Sequence, residues 1–120
     1  MIRNAIREAR LSTFKRARVG AVVAKGGRIL SVGHNEIRHM AIIKRPYPES
    51  THAEMAAIGK LLKQRRLHDL VGATMYVSRI GRAGEHRLAR PCVDCEQLCR
   101  AVGIKRVIFT TSEGTDGYEI

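Results

Sequence analysis

The residues best able to do chemistry lie in two short segments, Thr51-His52-Ala53-Glu54 and Pro91-Cys92-Val93-Asp94-Cys95. A proline followed by two cysteines three positions apart is typical of the first turn of a helix. There both thiolates lie on one face, and the helix dipole favours their negative charge. Cys92 and Cys95 therefore offer two sulfur ligands to a tetrahedral metal, and His52 is a candidate third ligand.

Glu54 lies two positions after His52 and is the kind of carboxylate that a metal-activated water needs nearby. A metal held by three protein ligands keeps a fourth position for water, which is the arrangement of a catalytic zinc site. Coordination lowers the pKa of that water from 15.7 to roughly 7. Glu54 could take the proton of that water and pass it to a substrate.

Three other interpretations of these segments stay open. Thr51-x-x-Glu54 fits a capping box, which would give Glu54 a purely structural role. A closed zinc site could stabilise a binding module without turnover, although such a site needs no neighbouring carboxylate. Cys-x-x-Cys also occurs in thiol–disulfide oxidoreductases, but that interpretation leaves His52 and Glu54 unexplained. A further cysteine, Cys99, shares a stripe with Leu98 and Val102, which favours core packing over metal binding.

The length and composition are those of one globular domain. A chain of 120 residues with 44% apolar residues can build a core without disulfides, so we expect a single domain over residues 1–120. No apolar run approaches the ~20 residues that cross a bilayer, and residues 1–10 lack the apolar core of a signal peptide. Three cysteines, two of them close together, favour metal or redox chemistry in a reducing compartment. The sequence therefore predicts a cytoplasmic protein with no membrane partner.

The net charge of +11 predicts an anionic partner. Long-range attraction to phosphate favours a nucleotide or a nucleic acid. The chain has only three tyrosines, two phenylalanines and no tryptophan. Proteins that bind single strands broadly stack several bases on aromatic rings, so this composition argues mildly against such a surface. A small nucleotide is the preferred partner, and single-stranded nucleic acid stays open.

Hydrophobic periodicity in the first half of the chain predicts a helix followed by two strands. Residues 2–13 carry an apolar stripe at helical spacing. Apolar runs at 19–24 and 29–32 flank Gly26-Gly27, a signal for a tight hairpin, so these runs predict two antiparallel strands. Residues 33–50 form a long polar connection with room for a short helix over 36–43.

The second half of the chain predicts helix, strand, helix, strand. One helix begins at Thr51, and its buried stripe would contain Met55, Ile58, Leu61 and Leu62. A strand over 73–80, a basic loop over 81–90, a helix over 92–102 and a strand over 107–110 follow. Strand, helix, strand in that order implies a parallel crossover. The tail, residues 112–120, is turn-rich and has room for a short edge strand.

This order of elements, with His-x-Glu on one helix and Pro-Cys-x-x-Cys on another, resembles the zinc-dependent cytidine deaminase-like superfamily over nearly the whole chain. The resemblance implies an α/β fold with three α/β/α layers, a mixed sheet of four to five strands and an antiparallel first hairpin. It implies Zn²⁺ bound by His52, Cys92 and Cys95, with Glu54 as the catalytic residue. It also implies a homo-oligomer.

The sequences His52-Ala53-Glu54-Met55 and Cys92-Val93-Asp94-Cys95 look most like the deoxycytidylate deaminase branch. That likeness implies hydrolysis of a cytosine nucleotide, dCMP first of all, to the uracil form with release of ammonia. Cytosine or adenine in single-stranded DNA or tRNA is the alternative substrate. Asn35 is similar to an asparagine that contacts the sugar in many relatives, and the backbone N–H of Ala53 resembles the group that holds the pyrimidine carbonyl.

Several arginines precede the second cysteine segment. Arg82, Arg87 and Arg90 lie in the basic loop, and Arg90 stands where many members of the superfamily carry a glutamate. Guanidinium groups bind phosphate oxygens through paired hydrogen bonds, so these three residues, together with Arg79 just before the loop, are predicted to contact the substrate phosphate. A solvated basic loop is the alternative.

Overall fold

The computed structural model describes residues 1–13, 17–37 and 50–120. The first half of this part contains α1 (Ile2–Ala9), β1 (Arg18–Lys25), β2 (Arg28–His34), β3 (Glu36–Ile37), β4 (Ser50–Thr51) and α2 (Ala53–Lys63). The second half contains α3 (Leu67–Leu70), β5 (Thr74–Ile80), β6 (His86–Arg87), α4 (Val93–Val102), β7 (Arg106–Thr111) and β8 (Gly114–Glu119). The predicted alternation of helices and strands is confirmed.

The main sheet is mixed, as the resemblance implies. Its strand order is β2-β1-β5-β7-β8, and β6 pairs with β5 beside that path. β5 and β7 are parallel, and the other pairs in this sheet are antiparallel, including the first hairpin of β1 and β2. The sheet has six strands, more than the four to five expected. The tail forms a full edge strand, β8, and the basic loop contributes the two residues of β6.

Helices cover both faces of the sheet, which confirms the three-layer prediction. Ala21 and Val23 of β1 belong to a core cluster with residues of α2 and α4, whereas Val22 and Ala24 pack with Ala5 of α1. Successive residues of a strand point to opposite faces, so one apolar strand can serve both layers. The unbroken apolar run in β1 is therefore explained by burial on both sides.

Two glycines let helices lie directly on strand backbone. A Cβ at Gly20 would lie 2.1 Å from the Ala5 carbonyl oxygen, and a Cβ at Gly33 would lie 2.6 Å from the Ala53 carbonyl oxygen. No side chain fits at either distance, so glycine is required for the close approach of α1 to β1 and of α2 to β2. Gly33 in particular fixes where the first turn of α2 lies.

Three predictions of local structure are wrong. α1 ends at Ala9, not at residue 13, and the Ser12 hydroxyl instead donates to the Asn35 carbonyl at 2.8 Å. Leu62 is 41% exposed, because it lies about 100° around the helix from buried Leu61. The predicted helix over 36–43 begins as strand β3, which pairs with β4, and residues 38–43 lie outside the described residues.

Within the described ranges, no helix is both long enough and apolar enough to cross a bilayer.

Gly33→Ala should displace the start of α2. The new Cβ would meet two backbone atoms of α2, the Ala53 oxygen at 2.6 Å and the Ala57 nitrogen at 2.7 Å. Overpacking of this kind costs about 1–3 kcal/mol, so we expect a lower melting temperature and weaker binding of metal by His52. Thermal unfolding and a zinc-binding titration measure both effects.

Gly59→Ala is the matched control, because a Cβ at this position of α2 has no neighbour within 4 Å. Alanine has the higher helix propensity, so this variant should gain up to about 1 kcal/mol. Equal zinc binding by the two variants would contradict the role assigned to Gly33.

Candidate metal centre and cavity

The starts of α2 and α4 bring three metal-ligand residues together. His52 is the N-cap residue of α2, and Cys92 is the N-cap residue of α4, with Cys95 in its first turn. His52 Nδ1 lies 3.3 Å from Cys95 Sγ and 3.6 Å from Cys92 Sγ. All three ligand atoms lie within 4.8 Å of one another. The sequence prediction that these residues meet is therefore confirmed in the described part of the chain.

The geometry of this cluster fits zinc. A tetrahedral zinc has Zn–S and Zn–N bonds of about 2.3 and 2.0–2.1 Å, which hold sulfur and nitrogen ligands about 3.5 Å apart. The two observed sulfur–nitrogen distances, 3.3 and 3.6 Å, lie close to that separation. Two sulfurs and one imidazole nitrogen also match the donor set of a catalytic zinc site, which uses three protein ligands.

Glu54 occupies the second position of α2 and is only 5% exposed. Its carboxyl lines the cavity beside the cluster. Burial raises the pKa of this carboxyl, while its own backbone N–H and the neighbouring His52 oppose the shift. The capping-box alternative is wrong, because α2 begins at Ala53 with His52 as its N-cap residue and Thr51 lies in β4.

The two buried cysteines have different surroundings. Burial raises the pKa of the Cys95 thiol well above its usual range, and the Glu54 carboxylate adds to the shift. Burial also raises the pKa of Cys99 to about 12. Cys99 is fully buried in the main core cluster and is not among the three convergent ligand residues. The prediction that Cys99 is a packing residue fits this position.

A cavity of about 270 Å³ opens beside the three ligand residues. Its walls are formed by Ala17, Val19, Asn35, His52, Ala53, Glu54, Arg79, Leu88, Ala89, Arg90 and Cys92. The lining thus combines Glu54 and two of the three metal-ligand residues with two arginines, Arg79 and Arg90. The first N–H of α2, that of Ala53, has no acceptor within its helix, so a substrate carbonyl can accept it.

The side chain of Asn35 lies in this cavity, as predicted, and is held by its neighbours. Asn35 Oδ1 accepts hydrogen bonds from the Ser12 hydroxyl and, at 2.9 Å, from the Val19 N–H. Asn35 Nδ2 donates to the Ala17 carbonyl at 2.6 Å. An amide carries two donor hydrogens, so within the described ranges one has no partner and could bind a ligand.

The arginines of the basic loop separate into two groups. Arg90 lines the cavity, and so does Arg79, which precedes the loop. Arg82 is exposed, and Arg87 pairs with Glu85 at 3.0 Å, so neither contributes to the cavity wall. Among the described residues, the buried Nε atom of Arg79 has no hydrogen-bond partner.

Two residues that position these arginines were missed by the sequence analysis. Thr110 is fully buried, and its hydroxyl accepts the Arg79 N–H at 3.1 Å and donates to the Arg87 carbonyl at 2.9 Å. Tyr118 lies under Arg90, whose Cζ atom is 4.7 Å from the ring centroid. Threonine and tyrosine are common in strands, so the sequence contained no signal for either contact.

The family model that matches this chain describes the cytidine and deoxycytidylate deaminase zinc-binding region and covers residues 1–111. A tRNA-specific adenosine deaminase from Aquifex aeolicus is 30% identical over 114 residues, which cover 94% of this chain. The chain spans 65% of the length of that relative. A deoxycytidylate deaminase from Mycobacterium phage D29 is 31% identical over 121 residues, and 84% of each chain is covered.

Solved structures show the same fold. The dCMP deaminase from cyanophage S-TIM5 has a TM-score of 0.69 and 27% identity, with 90% of this chain and 77% of that chain covered. A second structure of that enzyme is a complex with dCMP and dUMP. Cytidine deaminase from Burkholderia pseudomallei, at 18% identity and a TM-score of 0.71, covers 98% of this chain and 88% of its own and supports the fold alone.

Purified protein should contain one zinc ion per chain, bound through His52, Cys92 and Cys95. Cys95→Ala should lose the metal, because Cys95 Sγ is one of the three convergent ligand atoms. Cys99→Ala is the matched control, since it removes a buried thiol four residues away. It should keep its zinc and lose about 1 kcal/mol of stability through the cavity it leaves. Elemental analysis and denaturant unfolding measure the two effects, and loss of zinc from Cys99→Ala would mean that the ligand set is wrong.

Proposed function

The chain belongs to the cytidine and deoxycytidylate deaminase family, whose members are zinc-dependent hydrolases, and we propose that it deaminates a free cytosine deoxynucleotide, dCMP, to dUMP. The observation that carries this proposal is the position of buried Glu54 beside the ligand cluster, in a cavity that also contains two guanidinium groups. The likeness to two phage deoxycytidylate deaminases supports the choice of substrate.

The proposed reaction replaces the C4 amino group of cytosine by oxygen from water. Zinc bound by His52, Cys92 and Cys95 supplies a Lewis acid that brings the pKa of water from 15.7 to about 7. A Glu54 carboxylate oxygen accepts a proton from the attacking water and delivers it to N3 of the ring. Glu54 takes the second proton of the water and gives it to the amino nitrogen, and the C4–N bond breaks to release ammonia.

Other residues of the cavity would hold the nucleotide. The free N–H of Ala53 can donate to the pyrimidine carbonyl, and the remaining N–H of Asn35 can donate to a sugar oxygen. Arg79 and Arg90 would bind the phosphate, since neither has a carboxylate partner among the described residues and both line the cavity. The phosphate contact predicted for Arg82 and Arg87 has less support, because both lie outside the cavity wall.

A second candidate function is deamination of cytosine or adenine in single-stranded DNA or tRNA. The net charge of +11 and the 30% identity to a tRNA-specific adenosine deaminase favour it. A non-catalytic zinc-stabilised binding module is less favoured, because it leaves the buried carboxylate of Glu54 without a role. We further propose that residues 1–120 act as one domain, in the cytosol, and as a homo-oligomer.

Glu54→Gln should abolish turnover while the fold and the zinc content stay unchanged. Glutamine keeps the size and hydrogen-bonding shape of the side chain but cannot carry the proton, and loss of a general acid–base group costs roughly 10²–10⁴-fold in rate. Ammonia release from dCMP measures the effect, with elemental analysis as the control. A Glu54→Gln variant that turns over at the wild-type rate would exclude the proposed mechanism.

Arg90→Ala should lower kcat/KM for dCMP and change turnover of deoxycytidine little. A lost hydrogen bond between charged groups costs roughly 1.5–3 kcal/mol, which is about tenfold or more in kcat/KM. Arg82→Ala is the matched control, because it removes an exposed arginine of the same loop that lies outside the cavity wall. It should change dCMP turnover by less than about twofold.

The same assay should include dCTP, cytidine, and cytosine- and adenine-containing oligonucleotides. An enzyme that acts on polynucleotides would deaminate an oligonucleotide and no free nucleotide. The logarithm of its affinity for the oligonucleotide would fall steeply and linearly with the logarithm of the salt concentration. That result would select the second candidate function over the first.

A further inference from the structure

The last strand of the sheet contributes a residue to the neighbourhood of the cavity. Tyr118 lies in β8, which is antiparallel to β7 and places Tyr118 opposite Val107. The match to the family model covers residues 1–111, so Tyr118 lies outside the matched part and Arg90 lies within it. The Cζ atom of Arg90 lies 4.7 Å from the centroid of the Tyr118 ring. This distance is within the roughly 6 Å over which a guanidinium is attracted to an aromatic face.

The ring that supports Arg90 is itself held in place. Tyr118 packs against the main core cluster, and its ring centroid lies 6.1 Å from that of Phe109 at an angle of 58° between the ring planes. Such tilted aromatic pairs are favourable. Arg90, in contrast, is exposed and makes no salt bridge within the described part of the chain. The contact with the Tyr118 ring therefore limits where the guanidinium of Arg90 can lie.

The face of the Tyr118 ring, not its hydroxyl, is the part that contacts Arg90. The hydroxyl oxygen is buried and has no hydrogen-bond partner in the described residues. Burial and, to a smaller extent, the nearby Glu96 side chain together raise the pKa of Tyr118 to about 12. The side chain is therefore uncharged at neutral pH.

We propose that Tyr118 is a positioning residue, whose ring holds the guanidinium of Arg90 at the cavity wall where it binds the phosphate of the substrate. This inference rests on the proposed function for the identity of the anion. A guanidinium that is already oriented loses less side-chain entropy when it binds, so the ring strengthens phosphate binding without touching the nucleotide. The β7–β8 hairpin is then a determinant of specificity for nucleotide over nucleoside.

The test compares Tyr118→Phe, Tyr118→Leu, Arg90→Ala and the double variant Tyr118→Leu/Arg90→Ala. Tyr118→Phe keeps the aromatic face and removes only an unpartnered hydroxyl, so its KM for dCMP should equal that of the wild type. Tyr118→Leu should raise KM for dCMP by roughly three- to tenfold. Its kcat, its zinc content and its KM for deoxycytidine should stay unchanged. In the Arg90→Ala background, Tyr118→Leu should have no further effect on KM.

A measurement without substrate separates this inference from the proposed function. Denaturant unfolding of the same four proteins and the wild type gives a double-mutant cycle for Arg90 and Tyr118. A cation–π contact predicts coupling of roughly two- to fivefold in the unfolding equilibrium constant. If the cycle shows no coupling between Arg90 and Tyr118, the positioning role is overturned, whatever substrate the enzyme acts on.

Coupling in the unfolding cycle would not be enough by itself. If Tyr118→Leu weakens activity on dCMP and on deoxycytidine equally, or lowers kcat and leaves KM unchanged, the positioning role is also overturned. The ring would then serve only the fold. A wild-type protein that is inactive on every free nucleotide would instead overturn the proposed function, and the unfolding cycle would still decide whether Tyr118 holds Arg90.

Discussion

The site depends on two helices that begin at the same place. His52 is the N-cap residue of α2 and Cys92 that of α4, so the positive ends of both helix dipoles face one small volume. Thiolate charge from Cys92 and Cys95 offsets the mutual repulsion of these ends, but burial of Cys95 disfavours its thiolate. A bound divalent cation would resolve this conflict, because it would displace the thiol proton and compensate the thiolate charge.

Both helices lie on one face of the sheet, and the fold fixes the start of each. Gly33 lets α2 lie directly on β2, at a separation that leaves no room for a side chain. α4 is carried by the crossover between the parallel strands β5 and β7, and it ends at Gly103, whose φ of +89° turns the chain into β7. The face of the sheet under both helices is apolar and buried, so neither helix can shift without opening the core.

The sequence predicted the features that local patterns determine. The His-x-Glu pattern places its residues at the start of α2, and the Cys-x-x-Cys pattern places its residues at the start of α4. The order strand, helix, strand implies the parallel pair of strands that brings α4 next to α2. Contacts that depend on register between distant strands could not be predicted. Thr110 and Tyr118 are ordinary strand residues by type, and only the pairing of β5 with β7 and of β7 with β8 brings them to Arg79 and Arg90. For the same reason, the sequence could not separate Arg90 from Arg82.

Selection among substrates in this cavity would depend on which hydrogen-bond donors of the protein a poor substrate leaves without a partner. The Nε atom of Arg79 is buried without a partner in the described residues, and a buried donor that stays unpaired costs roughly 1–3 kcal/mol, more for a charged group. In the proposed function, a phosphate that reached this donor would accept from it, whereas a nucleoside would leave it unpaired. Discrimination would then arise from relief of an existing penalty as well as from new attraction. Tyr118 would add to this by fixing the second guanidinium before the substrate arrives, so the edge strand of the sheet and the metal centre would act on opposite ends of one nucleotide.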